Sequence, residues 1–564
     1  MELSDCGHGA PRYGANHDHE LGGLHGQKAG MYARCRSALQ RTPVSRRLLR
    51  RLPILVGLVL GILIWTGTSL RHGSPLLPII FGLDGHDRDS IPSEALIERP
   101  HLPGTERLTW EPGMCNVSEI EFLRRPQLGL TSNIIYSRRC IKTARGNPSP
   151  RDTITNITTP LITTSTPVNL TSCSSISLPP CEPITLHVPS PYPGQQYRHL
   201  LFGVATTYDR LNDSLPEFSH WLSGTGARLL AIVADATPTT NLSALTRLYQ
   251  SHSINATFIP PTIQERINRP SETGTGPIPI EHHHFLLVRA LHGLVEPGTT
   301  HWLSIIDDDT FFPSLSPLSA VLATYNHTLP LWLGALSDDF NSVRSWGYMA
   351  FGGAGVFLSP PLAEAVATHS EQCIRETTTH TGDGLLRDCV YTHTRTQLTL
   401  VPGLYQHDFR GDPSGFFESG VSPLSLHHWK SWYKAPVSAI ARVATRVCGD
   451  CMLQRWRFGN DTILANGYSV AVYNPKVLQG LDLERVEGTW SHATRDYDPM
   501  YGLLRDKVSR EDKKSYVLRD SVVQVGLDGN EVFRQVYVYR ADEAAYDQET
   551  PSGIDEVVEL VWEL

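Results

Sequence analysis

Basic residues do not recur as a stripe along the later chain, and acidic side chains outnumber basic ones, 57 to 49. A nucleic-acid partner needs a clustered cationic face, so that class is excluded. The chain also lacks a Ser/His/Asp or Cys/His constellation, which leaves no candidate for catalysis through an enzyme nucleophile. Cys448 and Cys451 form a CxxC pair but lack the strand–CxxC–helix context of a redox site, so they read as a local structural disulfide. Apolar content is ordinary for a globular protein, and 564 residues hold one large domain or two with accessories.

Residues 1–51 are rich in His, Gly and Arg without helical or strand period, and read as a disordered cytosolic tail closed by Arg46, Arg47, Arg50 and Arg51. Leu52 to Leu70 is a nearly unbroken apolar run without a charged residue. About 20 such residues cross a bilayer as a helix, and the preceding arginines hold that flank in the cytosol. The expectation is a type II membrane protein with everything beyond Arg71 in a lumen. Every N-x-S/T sequon falls on that side, at Asn116, Asn156, Asn169, Asn212, Asn241, Asn255, Asn326 and Asn460. So do eight of the ten cysteines, which suggests disulfides in an oxidising compartment. Residues 71–196 read as a stem. It holds a Cys115–Cys140 segment that suits a small cystine-clipped unit, then a Ser/Thr/Pro-rich linker that cannot bury a core.

Order resumes at residue 197. The runs HLLFGVAT, RLLAIVAD and HWLSII read as strands, and SLPEFSHWLSGTG and HFLLVRALHGLV as helices between them. This alternation predicts an α/β domain over 197–436 with a parallel sheet under right-handed crossovers. Thr206, Thr207 and Arg210 come just past the end of its first strand. His282, His283 and His284 open a helix, point in different directions there, and read as a solvated helix start. From residue 437 to 564, alternating apolar runs broken by Asn-Gly and Asp-Gly turns predict a β-rich module.

The stretch HWLSIIDDDTFF is the chemical centre. A buried strand ends in Asp307, Asp308 and Asp309, at the edge where α/β sheets bind ligands. Three adjacent carboxylates repel one another unless a cation sits among them, and a divalent metal holding a diphosphate fits. Alone, the run is also what a solvated helix cap looks like. Two further landmarks follow: Gly352, Gly353, Ala354 and Gly355 entering a strand, and the stretch LSLHHW with His427 and His428 on opposite sides of a strand end. Between them, Asp383 heads a helix carrying Cys389, which is expected to pair with Cys373.

In that order, these landmarks resemble a fringe-like glycosyltransferase of glycosyltransferase family 31, most like its fungal membrane-anchored members. The resemblance covers roughly residues 197–436. It implies a GT-A-like, Rossmann-type nucleotide-sugar fold, with the smaller β-rich module appended. It implies a UDP-sugar donor held with a divalent metal, usually Mn2+, a glycan or glycoprotein acceptor, inversion at the anomeric centre, a β-1,3-type linkage, and a place in the Golgi membrane. Asp309 and Asp307 match the metal-binding carboxylates. His427 matches the second protein ligand, with His428 as the adjacent alternative. Asp383 matches the general base. Thr206, Arg210, Asp307, Asp308 and Gly353 are expected on the donor. Gly382 stands where the family carries a second acidic residue, and Arg387 where a glycine is common.

Sugar transfer from a nucleotide diphosphate suits these residues. A metal between Asp309 and His427 stabilises charge on the leaving diphosphate, while Asp383 takes the proton of the attacking hydroxyl. Two other classes compete. A glycoside hydrolase needs two carboxylates flanking one sugar bond. A non-catalytic glycan-binding protein on a degenerate transferase fold would bind glycans but not UDP with metal.

Overall fold

Residues 200–206, LLFGVAT, form an inner strand of a seven-stranded sheet and are buried along nearly their whole length. A continuous apolar run of this kind is what a strand covered on both faces requires. In the computed structural model, the described residues are 107–108, 120–146, 150, 152–173, 178–263, 265–268, 276–491, 493, 497–525, 531–541 and 553–564. All fall within one compact unit spanning 98–564. The expected tail, the span at 52–70 and the first part of the stem lie outside the described residues. Among the described residues, no helix is long and apolar enough to cross a membrane.

The seven strands run in the order Leu398–Leu400, Trp332–Gly334, Val356–Leu358, Trp302–Ile306, Leu200–Thr206, Arg228–Val233, Asn255–Ile259. Leu200–Thr206 is parallel to both of its neighbours, Arg228–Val233 and Trp302–Ile306. Val356–Leu358 is antiparallel to both of its own. The expected α/β class with parallel pairing is therefore present. Alternation divides the side chains between two cores. Phe202 and Val204 join the helix Tyr208–Leu222 through Leu211, Phe218 and Leu222, whereas Leu201 joins the helices Ile280–His292 and Pro360–Glu376. Strands 200–206, 228–233 and 255–259 extend the sheet one way, and the chain then returns to place 302–306 on the other side of 200–206. The strand order thus switches between Thr206 and Asp307, which opens a crevice at the carboxyl ends of those two strands.

A ten-stranded sheet carries the rest. The expected C-terminal β module is there: Arg455–Phe458, Thr462–Ala465 and Ser469–Tyr473 pair in sequence, followed by Lys513–Val525, Glu531–Tyr539 and Asp555–Glu563. The segment expected to be stem and linker differs. Asn133–Arg145 lies parallel to the C-terminal strand Asp555–Glu563, and Thr155–Ile157, Thr166–Asn169 and Pro183–Val188 join the same sheet. The reason is local. Ile134 and Tyr136 face one core and Ile141 the other, and the buried Arg139 is satisfied by the carbonyls of Leu161 and Pro160 and by Glu182. A buried but fully bonded arginine reads as polar in the sequence while serving as core. Cys140 is bonded to Cys181 rather than to Cys115. The expected pairs Cys373–Cys389 and Cys448–Cys451 are present.

Candidate active site

The three carboxylates sit at the switch point. Past Ile306 the chain turns tightly, with the Asp307 amide donating to Thr310 Oγ1 at 3.0 Å. Phe311 then exchanges backbone hydrogen bonds with Leu426 at 2.8 Å each way. That bridge brings His427 beside Asp309. The indole N–H of Trp429 donates to the Asp309 carbonyl at 2.6 Å, and the Tyr433 hydroxyl to the His427 carbonyl at 2.7 Å.

His427 Nε2 lies 3.0 Å from Asp309 Oδ1 and 3.4 Å from Asp307 Oδ2. Its Nδ1 lies 2.9 Å from the Gln406 carbonyl, which fixes Nδ1 as the protonated nitrogen and turns Nε2 toward the carboxylates. Gly353 makes room for this ring. A Cβ there would come within 2.1 to 2.4 Å of three ring atoms of His427. Gly353 was expected against the donor; it faces the imidazole instead. Burial pushes the His427 imidazolium toward deprotonation, but the charges of Asp309 and Asp307 outweigh it and raise its pKa well above the usual value. Burial likewise opposes charge on Asp307 and Asp309, and the neighbouring imidazoles reverse this, holding both carboxyls below the ordinary range.

His428 was expected on the opposite side from His427. It takes a left-handed φ of 57°, which folds the two rings together with centroids 3.8 Å apart. Its Nε2 lies 3.0 Å from Asp408 Oδ1, and its ring stacks on Trp432 at 4.0 Å. Asp309, His427 and His428 bring one ligand atom each within 4.8 Å of the others, close enough to share a metal ion.

Asp308, expected on the donor, is tied to its neighbours on the cleft wall. Its oxygens are taken by Thr206 Oγ1 and by the Arg210 guanidinium, and it is buried. It therefore holds Arg210 on the wall of the cleft, which Asp308 also lines. Arg210 itself keeps 62% of its side chain accessible. Thr206, Arg210, Asp307, Asp309, His427 and Lys430 line a cleft of about 1020 Å³.

The His triplet is the feature that sequence reasoning missed. His282 and His283 are buried, at 7% and 2% exposure, not solvated. His284 Nε2 lies 3.4 Å from Asp307 Oδ1 and 3.9 Å from Asp383 Oδ1, bridging the two carboxylates. Burial lowers its pKa, but the hydrogen bond to Asp307 and the charges of Asp383 and Asp307 prevail and lift it to about 9. Gly382 explains itself here, since a Cβ would come within 2.4 Å of His284 Nδ1. Asp383 Oδ2 accepts from the Gly352 amide at 2.8 Å, and burial raises its carboxyl to about 6. Arg387 donates to the carbonyl of Trp346 and pairs with Asp388. Asp307, Asp309, His427, His284 and Asp383 thus form one contiguous group.

A family model described as a protein of unknown function, DUF604, matches residues 341–517. No curated protein matches the chain. Among solved structures, mouse xyloside xylosyltransferase 1 is similar at 11% identity and a TM-score of 0.26, over 36% of this chain and 85% of that one. The mannosyltransferase PcManGT from Pyrobaculum calidifontis, solved with GDP-Man and Mn2+, is similar at 14% identity and a TM-score of 0.25, over 39% of this chain and 60% of that one. The glycosyltransferase GlyE of Streptococcus pneumoniae TIGR4 is similar at 10% identity and a TM-score of 0.28, over 45% of this chain and 61% of that one.

Proposed function

We propose that this chain is a metal-dependent inverting glycosyltransferase. It moves a sugar from a UDP-sugar to a hydroxyl of a glycan or glycoprotein, in a β-1,3-type linkage, in the Golgi lumen. One observation carries the reading. Acidic side chains at the sheet's switch point and an imidazole from much later in the chain meet at 3.0 Å, in a cleft that also presents an accessible arginine.

The donor set suits Mn2+. Asp309 and Asp307 supply carboxylate oxygens, and His427 supplies an Nε2 whose partner nitrogen is already fixed by the Gln406 carbonyl. His428 lies within reach as a further ligand. When bound, the metal supplies Lewis-acid stabilisation of the departing diphosphate. Arg210 and Lys430 on the cleft wall add positive charge toward the same phosphates. Asp383, deprotonated above about pH 6, takes the proton of the acceptor hydroxyl, and His284 beside it holds the opposing charge. The hydroxyl oxygen attacks the anomeric carbon from the face opposite the leaving UDP, so a single displacement inverts the centre.

The full chain, purified in detergent, should be screened against UDP-sugars with and without MnCl2, reading UDP release. Release that needs both metal and an acceptor supports the reading. Release of free sugar from a glycan without any UDP-donor would replace it with hydrolysis.

A further inference from the structure

The ends of the two large sheets coincide with N-glycosylation sequons. Thr155–Ile157 and Thr166–Asn169 close the two ends of the ten-stranded sheet, and Asn255–Ile259 closes one end of the seven-stranded sheet. Asn156 lies in the first of these strands, Asn169 in the second and Asn255 in the third, and all three are exposed. Among the described residues, no sequon asparagine lies in an inner strand. The others stand in the helix Tyr208–Leu222 (Asn212), at the cap of Leu242–Ser251 (Asn241), in a turn (Asn326) and in the hairpin between Arg455–Phe458 and Thr462–Ala465 (Asn460).

An edge strand leaves one row of backbone N–H and C=O groups unpaired, which is a template for a strand of another chain. Among the described residues, no backbone of another segment bonds to the outer sides of these three strands. Proteins usually guard such a row with charge, above all with Lys. These strands read Thr-Asn-Ile, Thr-Pro-Val-Asn and Asn-Ala-Thr-Phe-Ile, without a Lys, Arg, Asp or Glu. Pro167 guards the second in part, since it has no N–H to offer. The remaining end, Leu398–Leu400, carries no sequon and runs into Pro402.

The local geometry leaves the reacting atom open. Asn169 Oδ1 accepts the Thr171 amide at 2.8 Å and its hydroxyl at 2.6 Å, which leaves Nδ2, the atom that takes a sugar. Asn255 and Thr257 are both exposed, while Ala256 and Phe258 are buried, so the whole sequon face of that strand looks outward. Side chains on a strand stand roughly perpendicular to it. A pairing strand would have to settle about 4.8 Å away, and an oligosaccharide is wide enough to overhang that gap.

We propose that Asn156, Asn169 and Asn255 carry N-linked oligosaccharides, and that these sugars cap the open edges of the two sheets. The assignment rests on the luminal placement within the reading above, and not on sugar transfer by this chain. In the attachment step, Asn Nδ2 bonds to the anomeric carbon of an oligosaccharide held on a lipid diphosphate. The diphosphate leaves with the electron pair of the broken C–O bond, and the amide gives up one proton.

The test uses the full chain made in a eukaryotic secretory host and purified in detergent. Peptide N-glycosidase in heavy-oxygen water converts each sugar-bearing Asn to a labelled Asp, which peptide mass spectrometry reads. Label is expected at Asn156, Asn169 and Asn255. Label at other sequons but at none of these three overturns the proposal and leaves the luminal placement standing. Label at no sequon overturns both, while sugar transfer is still read independently from UDP release. The capping role is tested by removing the three sequons with Thr158→Ala, Thr171→Ala and Thr257→Ala together, against a control carrying Ser243→Ala and Thr328→Ala. Light scattering should show the edge variant associating at about tenfold lower protein concentration, the size of one or two new backbone hydrogen bonds, with the control unchanged. Should the edge variant fail to fold, wild type trimmed by an endoglycosidase after folding gives the same reading. Unchanged association, or equal association in the control, overturns the capping role.

Discussion

His427 Nε2 and Asp309 Oδ1 lie 3.0 Å apart, although Asp309 follows the strand Trp302–Ile306 and His427 comes much later in the chain. The contact depends on Gly353, whose missing side chain is the space the imidazole occupies.

Gly353→Ala therefore tests how tightly the ring is held. With a Cβ at 2.1 Å from the ring, His427 must move or the strand Val356–Leu358 must shift. A loss of about 1–3 kcal/mol of stability is expected for such overpacking. Urea titration reads it, and calorimetry with MnCl2 should show metal affinity falling alongside. Unaltered stability and affinity would mean that the ring has free room.

Asp383 is predicted to set the acid limb of the pH profile. Its carboxyl is raised to about 6 and works only when ionised. The rate should therefore fall as pH drops through about 6 and be level above it. Asp383→Asn should lower turnover by about 100- to 10,000-fold and abolish that limb, while UDP with Mn2+ still binds. Wild-type turnover in the variant would remove Asp383 from the base role.

The Cys373–Cys389 bridge ties the helix Gly382–His393, which carries Asp383, to the helix Pro360–Glu376. It closes a loop of 16 positions. Replacing both cysteines with alanine should cost about 3 kcal/mol in a denaturant titration. A change of only a few tenths would indicate that helix contacts alone hold Asp383.

A fragment beginning at residue 197 should not stay monomeric. It lacks Asn133–Arg145, so the C-terminal strand Asp555–Glu563 loses its parallel partner and presents an unpaired apolar edge. Size-exclusion chromatography should show aggregates. A soluble monomer with cooperative melting would contradict this.

The parts of the fold that follow simple periodicity were legible. Leu200–Thr206 and Trp302–Ile306 are unbroken apolar runs, and Asp307–Asp309 at a strand end announce a site. Asn255–Ile259 and the helix Leu242–Ser251 escaped, being short and half polar. Asn133–Arg145 escaped because its central charges hide a strand whose arginine is satisfied by the carbonyls of Leu161 and Pro160 and by Glu182, all well away in sequence. His284 escaped for a tertiary reason. A helix start is ordinarily wet, and only Asp307, Gly352 and Gly382 closing around it make this one a bridge between carboxylates.

The most direct measurement is calorimetric titration of UDP into the full chain with MnCl2, repeated with Asp309→Ala and His427→Ala. The account predicts saturable, EDTA-sensitive UDP binding in the wild type. In both variants it predicts a loss of about 100-fold or more, with circular dichroism unchanged, since several kcal/mol of charge stabilisation depend on the ion. UDP binding that ignores EDTA and survives both substitutions would contradict it.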